Sequence, residues 1–304
     1  MSQIKKPKAT TGICRSDADS ITLRGRDLVT DVIGNYSFTG AFLLQALGGE
    51  PSAEQVRLLD AVMVTIMEHG LMPSVIATRL TLTGAPESLQ GAVAAGLLGV
   101  GDRYGGTAGK CGELAERLLA AEQVNSEASA VVAEHLEAKR PLPGFGHPLH
   151  KGRDPRTEKL LAMLSPESPA RRAMVALEQA LSEALGRSLV MNVSAALAAL
   201  MVEAKIPAPM MRGVILVARA GGLVGHALEE CNNPVGDDLW HGAEAAVDLL
   251  EHEHVAGDVL VEVALDRVDA RVVRRERLPE GSALAPFDEQ DRARSGATEP
   301  IVDL

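Results

Sequence analysis

The sequence predicts an all-α fold, and three observations point to it. Apolar residues recur at helical spacing along most of residues 26–253, and no run alternates with period two for long enough to predict a sheet. Ala, Leu, Val and Gly dominate the composition, whereas aromatic residues make up 2% of the chain. Several segments also open with residues that favour helix starts. We therefore expect a core built from many aliphatic contacts between closely approaching helices.

The predicted helices follow one another along most of the chain. Residues 21–24 precede them and could form one strand of a small hairpin. Ser52 and Asn125 are candidate helix caps, and Pro51 and Pro207 lie near predicted helix starts. The helical segments are residues 26–34, 38–47, 53–69, 73–83, 86–99, 107–121, 126–138, 156–163, 168–186, 190–203, 207–229 and 239–253.

The two ends of the chain depart from this pattern. Residues 1–20 are polar, which predicts a flexible N-terminal tail. Residues 258–278 could form an amphipathic helix or a pair of strands. Residues 279–304 are rich in Pro, Gly, Ser and charged residues, which predicts a second flexible tail.

Composition limits the classes of function. The chain has 304 residues and a formal net charge of -11, which argues against non-specific binding to nucleic acid or to anionic membranes. Cys14, Cys111 and Cys231 lack CxxC spacing, which argues against a zinc site or a disulfide framework and fits a reducing cytoplasm. The N-terminus lacks the apolar core of a signal peptide. We therefore expect a cytoplasmic protein with no metal site.

Glycine interrupts the helical pattern in three segments, residues 99–110, 141–156 and 219–226. Each could simply be a turn between two helices, since turns are where Gly and Pro are common. Tyr104 and Phe145 fall in the first and second of these segments, where a core aromatic has little to pack against. Their position makes both side chains candidates for a binding site.

The second segment, PLPGFGHPLHKGRDPR, is the most unusual of the three. Gly144 and Gly146 flank an aromatic residue and precede His147, so backbone amides can approach a ligand next to an imidazole. Asp154 is expected to cap a new helix, with Arg156 in its first turn.

This segment resembles the signature of citrate synthases, in which a glycine–aromatic–glycine–histidine loop is followed by aspartate–proline–arginine. The resemblance covers about residues 21–250. GDRYGG is similar to the segment found in citryl-CoA lyases and in the lyase module of ATP citrate lyase, whereas ordinary citrate synthases carry a histidine in place of Tyr104. Further matching segments are RGRDLVTDVIG, EHGLMPS, MNVSAAL, ARAGGLVGH and LWHGAEAAV.

The resemblance implies a helical fold in which a small domain is inserted into a large one, with the active site in the cleft between them. The large domain would comprise residues 21–106 and 213–255, and residues 107–212 would form the small domain with the CoA-binding loop. Residues 1–20 and 279–304 would be flexible tails. The family works as homodimers or dimers of dimers, and its ligands are acyl-CoA thioesters and oxo-acids.

The resemblance also implies roles for individual residues. His147 would exchange a proton with the tertiary hydroxyl of the substrate, and His69 would bind the oxo-acid. Without the family, His69 could equally be a helix-end histidine in the core, and Arg219 a salt-bridged arginine. The substrate-binding residues would be Arg219, Tyr104, Arg103 and Lys151. The CoA-binding residues would be Pro143, Gly144, Phe145, Gly146 and Arg156. His150, His226 and His241 are expected to be structural.

The sequence departs from the family at the carboxylate that moves the proton at the thioester α-carbon, because Ser194 takes its place. Serine is not a useful base near neutral pH, although it could orient a water molecule. Lys151 replaces a family arginine, and residues 231–234 (CNNP) replace an arginine–proline segment. These changes suggest either a different acyl-CoA substrate or an inactive family member.

Three functions therefore remain open. The first is cleavage of citryl-CoA, or of a related 3-hydroxyacyl-CoA, to acetyl-CoA and oxaloacetate. The second is condensation of an acyl-CoA with a 2-oxo acid, as in citrate or 2-methylcitrate synthases. The third is a non-catalytic CoA-binding protein. The sequence has no glycine-rich, lysine-containing phosphate loop, so an ATP-dependent ligase step is not expected from this chain.

Overall fold

The computed structural model describes residues 10–146 and 154–242. This part of the chain is mainly helical, which confirms the all-α prediction. The helices are α1 Phe38–Leu47, α2 Ala53–Ile66, α3 Pro73–Gly84, α4 Leu89–Leu98, α5 Asp102–Gly105, α6 Thr107–Ala120, α7 Val124–Glu137, α8 Pro155–Leu161, α9 Pro169–Leu185, α10 Val193–Glu203 and α11 Ala208–Asn232. Residues 236–242 are also helical, and the rest of predicted helix 239–253 lies outside the described residues, as do predicted segments 258–278 and 279–304.

A small antiparallel sheet precedes the helices. Its strands are β1 Cys14–Ser16, β2 Ile21–Leu23 and β3 Arg26–Asp27, in the order β1-β2-β3. Cys14 pairs with Leu23, and Thr22 pairs with Asp27. The strand predicted over residues 21–24 is therefore confirmed, and part of the predicted N-terminal tail is a strand.

The helix predicted over residues 26–34 is wrong. After β3, a single helical turn of the π type runs over Leu28–Val32. The Asp27 side chain caps this turn by accepting hydrogen bonds from the amides of Val29 and Thr30. Because Asp27 itself has an extended backbone, the turn begins at the next residue. It ends because Ile33 returns to an extended conformation.

Helix starts were predicted with mixed success. Ser52 forms a reciprocal capping box with Gln55 at the start of α2, as expected of a cap. The prediction for Asn125 is wrong, because α7 begins at Val124 and Asn125 lies in its first turn, where its carbonyl accepts a hydrogen bond from Ser129 Oγ. The apolar residues that follow Asn125, such as Ala128 and Val131, did not indicate that the helix begins before Asn125.

The main core surrounds α10. Every residue from Ala195 to Met201 is buried, and four of these seven residues are alanines. Their small side chains let α6, α8 and α9 approach closely, so the core is filled by aliphatic contacts, as the composition predicts. α6 also packs closely against α11, where Gly112 faces the Met211 side chain.

Helix α11 is the longest in the described residues. It has 25 residues and a mean hydropathy of 1.2 in its most apolar window, so its length and composition alone would allow it to cross a membrane. It packs against α2, α3, α4 and α6, as a core helix of a soluble protein does. The glycines of residues 219–226 lie inside this helix, which agrees with the helix predicted over residues 207–229 and excludes a turn at these glycines.

Candidate functional site

The glycine loop at residues 143–146 lies against the segment that leads into α10. Gly144 has a left-handed φ of 85°, and a Cβ atom there would lie 2.6 Å from Cys111 Sγ and 2.9 Å from Ala195 Cβ. Both the backbone conformation and the packing therefore require glycine. Cys111 is fully buried under this loop, and burial raises the pKa of its thiol to about 12.

Asn192 joins this loop to the start of α10. Its backbone amide donates to Gly144 O at 2.9 Å, and its side-chain Nδ2 donates to Gly146 O at 3.1 Å. Its Oδ1 caps α10 by accepting the Ser194 amide at 2.9 Å. The Asn192 side chain therefore holds both Gly146, which precedes His147, and Ser194, which takes the place of the family carboxylate.

Phe145 does not point away from the core. It is partly buried, packs against the main apolar cluster and forms an isolated antiparallel bridge with Met191. The expectation that it has little to pack against is wrong, because the loop folds back onto the start of α10. Its predicted CoA contact, like that of Pro143, stays a prediction.

His69 lies in the turn that follows α2. Glu68 Oε1 accepts hydrogen bonds from the amides of His69 and Gly70, at 2.7 Å and 2.6 Å. The turn packs against α11 at Gly222, where a Cβ atom would overlap the Met67 carbonyl oxygen. The glycine-rich sequence of α11 thus serves close packing and does not form a loop.

Arg219 lies on α11, three residues before Gly222, and its side chain is 6% exposed. Among the described residues, its guanidinium has neither a hydrogen bond nor an ion pair with another side chain. Desolvation lowers the pKa of Arg219, and the negative charge of Glu68 partly offsets this effect. A buried cation without an ionic partner is costly unless an anion binds to it.

Burial and four nearby charged residues affect the pKa of His69. Desolvation is the largest effect and lowers its pKa, and the positive charges of Arg156 and Arg219 lower it further. Glu68 and Asp154 oppose this change. The structure therefore brings together three of the predicted site residues, a neutral imidazole and two guanidinium groups. Such a group of donors suits an anionic ligand with more than one carboxylate.

Arg156 is held in place by Asp154, which caps α8 as expected. Asp154 is buried, accepts the Arg156 amide at 2.9 Å, and forms an ion pair with the Arg156 side chain at 2.7 Å. The Arg156 side chain is 32% exposed. Its guanidinium can therefore contact a ligand while its orientation is fixed.

Residues 99–110, expected to form a loop, contain the short helix α5 and the start of α6. Arg103 and Tyr104 lie on α5. Arg212 of α11 fixes this helix, because its guanidinium contacts Asp102 Oδ1 at 2.6 Å and the Val100 carbonyl at 3.2 Å. The roles predicted for Arg103 and Tyr104 stay predictions.

Two residues that sequence reasoning placed at the centre of the site, His147 and Lys151, lie outside the described residues, and so does His150. Sequence reasoning missed Glu68 and Asn192. The only signals for them were an acidic residue next to His69 and an amide residue two positions before Ser194.

Comparison with known proteins identifies the family. The family model described as citrate synthase, C-terminal domain, matches residues 20–239. The putative citrate synthase 2 of Mycobacterium tuberculosis is 29% identical over 208 residues, which are 66% of this chain and 54% of that protein. The chain thus spans about half the length of the curated relatives it matches.

Two solved structures are also similar. Citryl-CoA lyase from Hydrogenobacter thermophilus has a TM-score of 0.68 and 30% identity, covering 74% of this chain and 88% of that one. ATP citrate lyase from Methanothrix soehngenii, solved in complex with citrate and coenzyme A, has a TM-score of 0.65 and 19% identity, covering 75% of this chain and 40% of that one. With the fold and the motifs in the expected order, these similarities show that the chain belongs to the citrate synthase family.

Proposed function

We propose that this protein cleaves citryl-CoA, or a related 3-hydroxyacyl-CoA, to acetyl-CoA and an oxo-acid such as oxaloacetate. The observation that carries the proposal is the buried guanidinium of Arg219, which has no ionic partner among the described residues and lies close enough to His69 to lower its pKa. The similarity to a citryl-CoA lyase over 88% of that enzyme's chain supports the lyase direction.

In this mechanism, Arg219 and Arg156 bind carboxylates of the citryl group, and neutral His69 donates a hydrogen bond to the carbinol oxygen. Arg156 was predicted to bind CoA, but its closeness to His69 favours a carboxylate. His147 accepts the hydroxyl proton. The bond between the carbinol carbon and the thioester α-carbon then breaks, and its electron pair passes to the thioester as an enolate.

The enolate must next gain a proton at the α-carbon to give acetyl-CoA. The family uses a carboxylic acid for this step, and Ser194 cannot replace it as an acid near neutral pH. We propose that a water molecule held by Ser194 Oγ delivers the proton, and that the imidazolium of His147 returns the hydroxyl proton to the hydroxide left behind, directly or through solvent. Losing the carboxylate slows cleavage and condensation equally, because both directions share this step.

CoA itself would lie along the loop at residues 143–146. The loop is fixed to residues 190–192 by three main-chain and side-chain hydrogen bonds, so its amides are already arranged before a ligand binds. The large domain of residues 21–106 and 213–255 would close on the small domain of residues 107–212, with the thioester in the cleft.

We also propose that two copies of the chain pair through the face formed by α1, α2 and α11. Apolar side chains line a groove there, and Phe38, Val64 and Val224 are 71%, 68% and 46% exposed. Val224→Glu should give monomers in size-exclusion chromatography with light scattering. Leu136→Glu, an exposed position on α7, is the control and should leave the dimer intact.

Condensation is the second candidate, because the curated relatives include citrate synthases. One assay separates the functions. Purified protein is incubated with citryl-CoA, and oxaloacetate is followed by coupled reduction. In a parallel reaction with acetyl-CoA and a 2-oxo acid, condensation followed by hydrolysis of the thioester is detected by the free thiol of CoA. Cleavage at an enzymatic rate supports the lyase. Thiol release with oxaloacetate or another 2-oxo acid, without cleavage of citryl-CoA, would replace it with a synthase. Calorimetric binding of CoA without either reaction would favour a non-catalytic protein.

A further inference from the structure

A buried cluster of charged residues lies behind the His69 turn, and no step of the proposed mechanism uses it. Its centre is Arg79 of α3, whose side chain is 3% exposed. The guanidinium contacts three residues of α11. Nη1 lies 2.8 Å from Glu230 Oε2, and Nη2 contacts both His226 Nδ1, at 2.9 Å, and Glu229 Oε2.

The contact between Arg79 and His226 determines the position of the imidazole proton. A guanidinium can only donate hydrogen bonds, so His226 Nδ1 accepts from Arg79, whereas Glu229 Oε2, at 3.6 Å from Nδ1, lies beyond hydrogen-bond distance. The remaining proton of a neutral ring is then on Nε2. This nitrogen lies 2.9 Å from Glu68 Oε2, which is an acceptor. Arg79 therefore orients His226 as a hydrogen-bond donor towards Glu68.

Glu68 connects His226 to the backbone of the His69 turn. While Oε2 accepts from His226, Oε1 accepts from the amides of His69 and Gly70. Desolvation of Glu68 opposes its charge, but these three hydrogen bonds outweigh it and lower the pKa of the carboxyl. The chain of contacts thus runs from a buried arginine to the backbone of His69 without a gap.

We propose that His226, in the neutral form protonated at Nε2, is a positioning residue that fixes the His69 turn through Glu68. The proposal rests on the proposed function, in which His69 contacts the oxo-acid. His226 was expected to be structural, and the proposal gives it the additional role of orienting a residue of the site. In this proposal, His226 does not contact the substrate and acts through Glu68 and the main chain.

The first test needs no activity. Two-dimensional ¹H–¹⁵N NMR of the imidazole rings at neutral pH should show, among the signals of the eight histidines, a neutral ring protonated at Nε2 that His226→Gln removes. An imidazolium, or a ring protonated at Nδ1, at this position would overturn the proposal. Amide exchange gives a second readout, since the His69 and Gly70 amides should exchange at least about tenfold faster in His226→Leu. Unchanged exchange would also overturn it.

The second test measures function and includes a rescue. His226→Leu should weaken oxaloacetate binding about tenfold or more in calorimetry, with CoA binding unchanged, because only the His69 turn is released. His226→Gln should recover most of the affinity, since its amide can donate to Glu68. Equal loss in both variants would indicate a packing role and contradict the proposal. If the wild-type protein does not bind oxaloacetate, the proposed function fails, while the NMR and exchange results still decide the role of His226.

The matched control is Glu229→Gln. Glu229 lies on the same helix and contacts Arg79; its Oε2 also lies 3.6 Å from His226 Nδ1, but no hydrogen bond or ion pair among the described residues links it to the His69 turn. This variant should keep the NMR signal of His226 and the protection of the His69 amide. If it releases the turn as His226→Leu does, general loosening of the cluster explains the effect and the specific role of His226 is wrong.

Discussion

Gly222 of α11 and the carbonyl oxygen of Met67 are in such close contact that even one methyl group at residue 222 would overlap the oxygen. The contact sets the distance between the His69 turn and the helix that carries Arg219. Two site residues from distant parts of the sequence are therefore held at one fixed separation by the absence of a side chain.

Gly222→Ala should push the His69 turn away from α11. We expect kcat/KM for citryl-CoA to fall by about 10²-fold, since displacements of about 1 Å have such effects. Gly225→Ala is the control, because a Cβ atom at Gly225 meets no atom within 4 Å. It should retain activity and raise stability by up to about 1 kcal/mol, as alanine is the better helix former. Equal activity in the two variants would show that the spacing is unimportant.

Arg219 and Arg79 are both buried arginines, but their partners differ. Arg219→Met should abolish measurable oxaloacetate binding yet leave the melting temperature unchanged or higher, because Arg219 has no ion pair within residues 10–146 and 154–242 that the substitution could break. Arg79→Met leaves Glu230 buried and unpaired, which should cost about 3–5 kcal/mol in urea unfolding. If Arg219→Met proves as destabilising as Arg79→Met, then Arg219 is a structural arginine.

The lowered pKa of His69 predicts a dependence of stability on pH. The unfolded chain binds a proton at His69 below about pH 6.5, whereas the folded protein does so only at lower pH. The unfolded state then holds more protons, so this contribution to stability is lost as the pH falls below about 6.5. Urea unfolding at pH 7.5 and pH 5.5 should show a smaller difference for His69→Gln than for wild type. An equal difference in both proteins would contradict the direction of the shift.

Ser194 is the clearest departure from the family, and restoring the carboxylate tests its effect. Ser194→Asp should raise the rate of citryl-CoA cleavage and of condensation by a similar factor, within the range of about 10²–10⁴ typical of acid–base catalysis. The substitution suits the fold, because an acidic residue in the first turn of α10 is favourable. Ser194→Ala is the control and should be slower than wild type if a held water is used. No gain from aspartate would mean that the natural substrate differs from citryl-CoA.

Periodicity and capping residues predicted most of the described fold. Ser52 and Asp154 cap helices as expected, because their hydrogen bonds depend on residues only two or three positions away. The glycines of residues 219–226 allowed two interpretations, a break in the pattern and the helix predicted over residues 207–229, since glycine marks both turns and close packing. Only the position of Met67, 155 residues earlier in the chain, separates the two meanings at Gly222.

In the candidate site, too, residues that belong to local motifs were predicted, whereas residues that act through contacts between distant segments were not. Motifs predicted His69, Arg156 and Arg219 as site residues, and the positive charges of both arginines lower the pKa of His69. The residues that support them were not predictable, because Glu68, Asn192 and His226 act through contacts between separate segments. A single sequence does not encode those contacts in any local pattern.

The Cys111 thiol lies beneath the loop at residues 143–146, so its rate of reaction with a disulfide reagent reports how often the loop opens. Cys14 and Cys231 are exposed and should react at once with a disulfide reagent, whereas Cys111 is shielded by Gly144, and burial raises the pKa of its thiol to about 12. Labelling of Cys111 therefore requires the loop to lift. When the reagent reacts faster than the loop closes, the rate of this slow phase equals the opening rate, and a CoA thioester that occupies the loop should lower that rate in proportion to the fraction of protein that stays unoccupied.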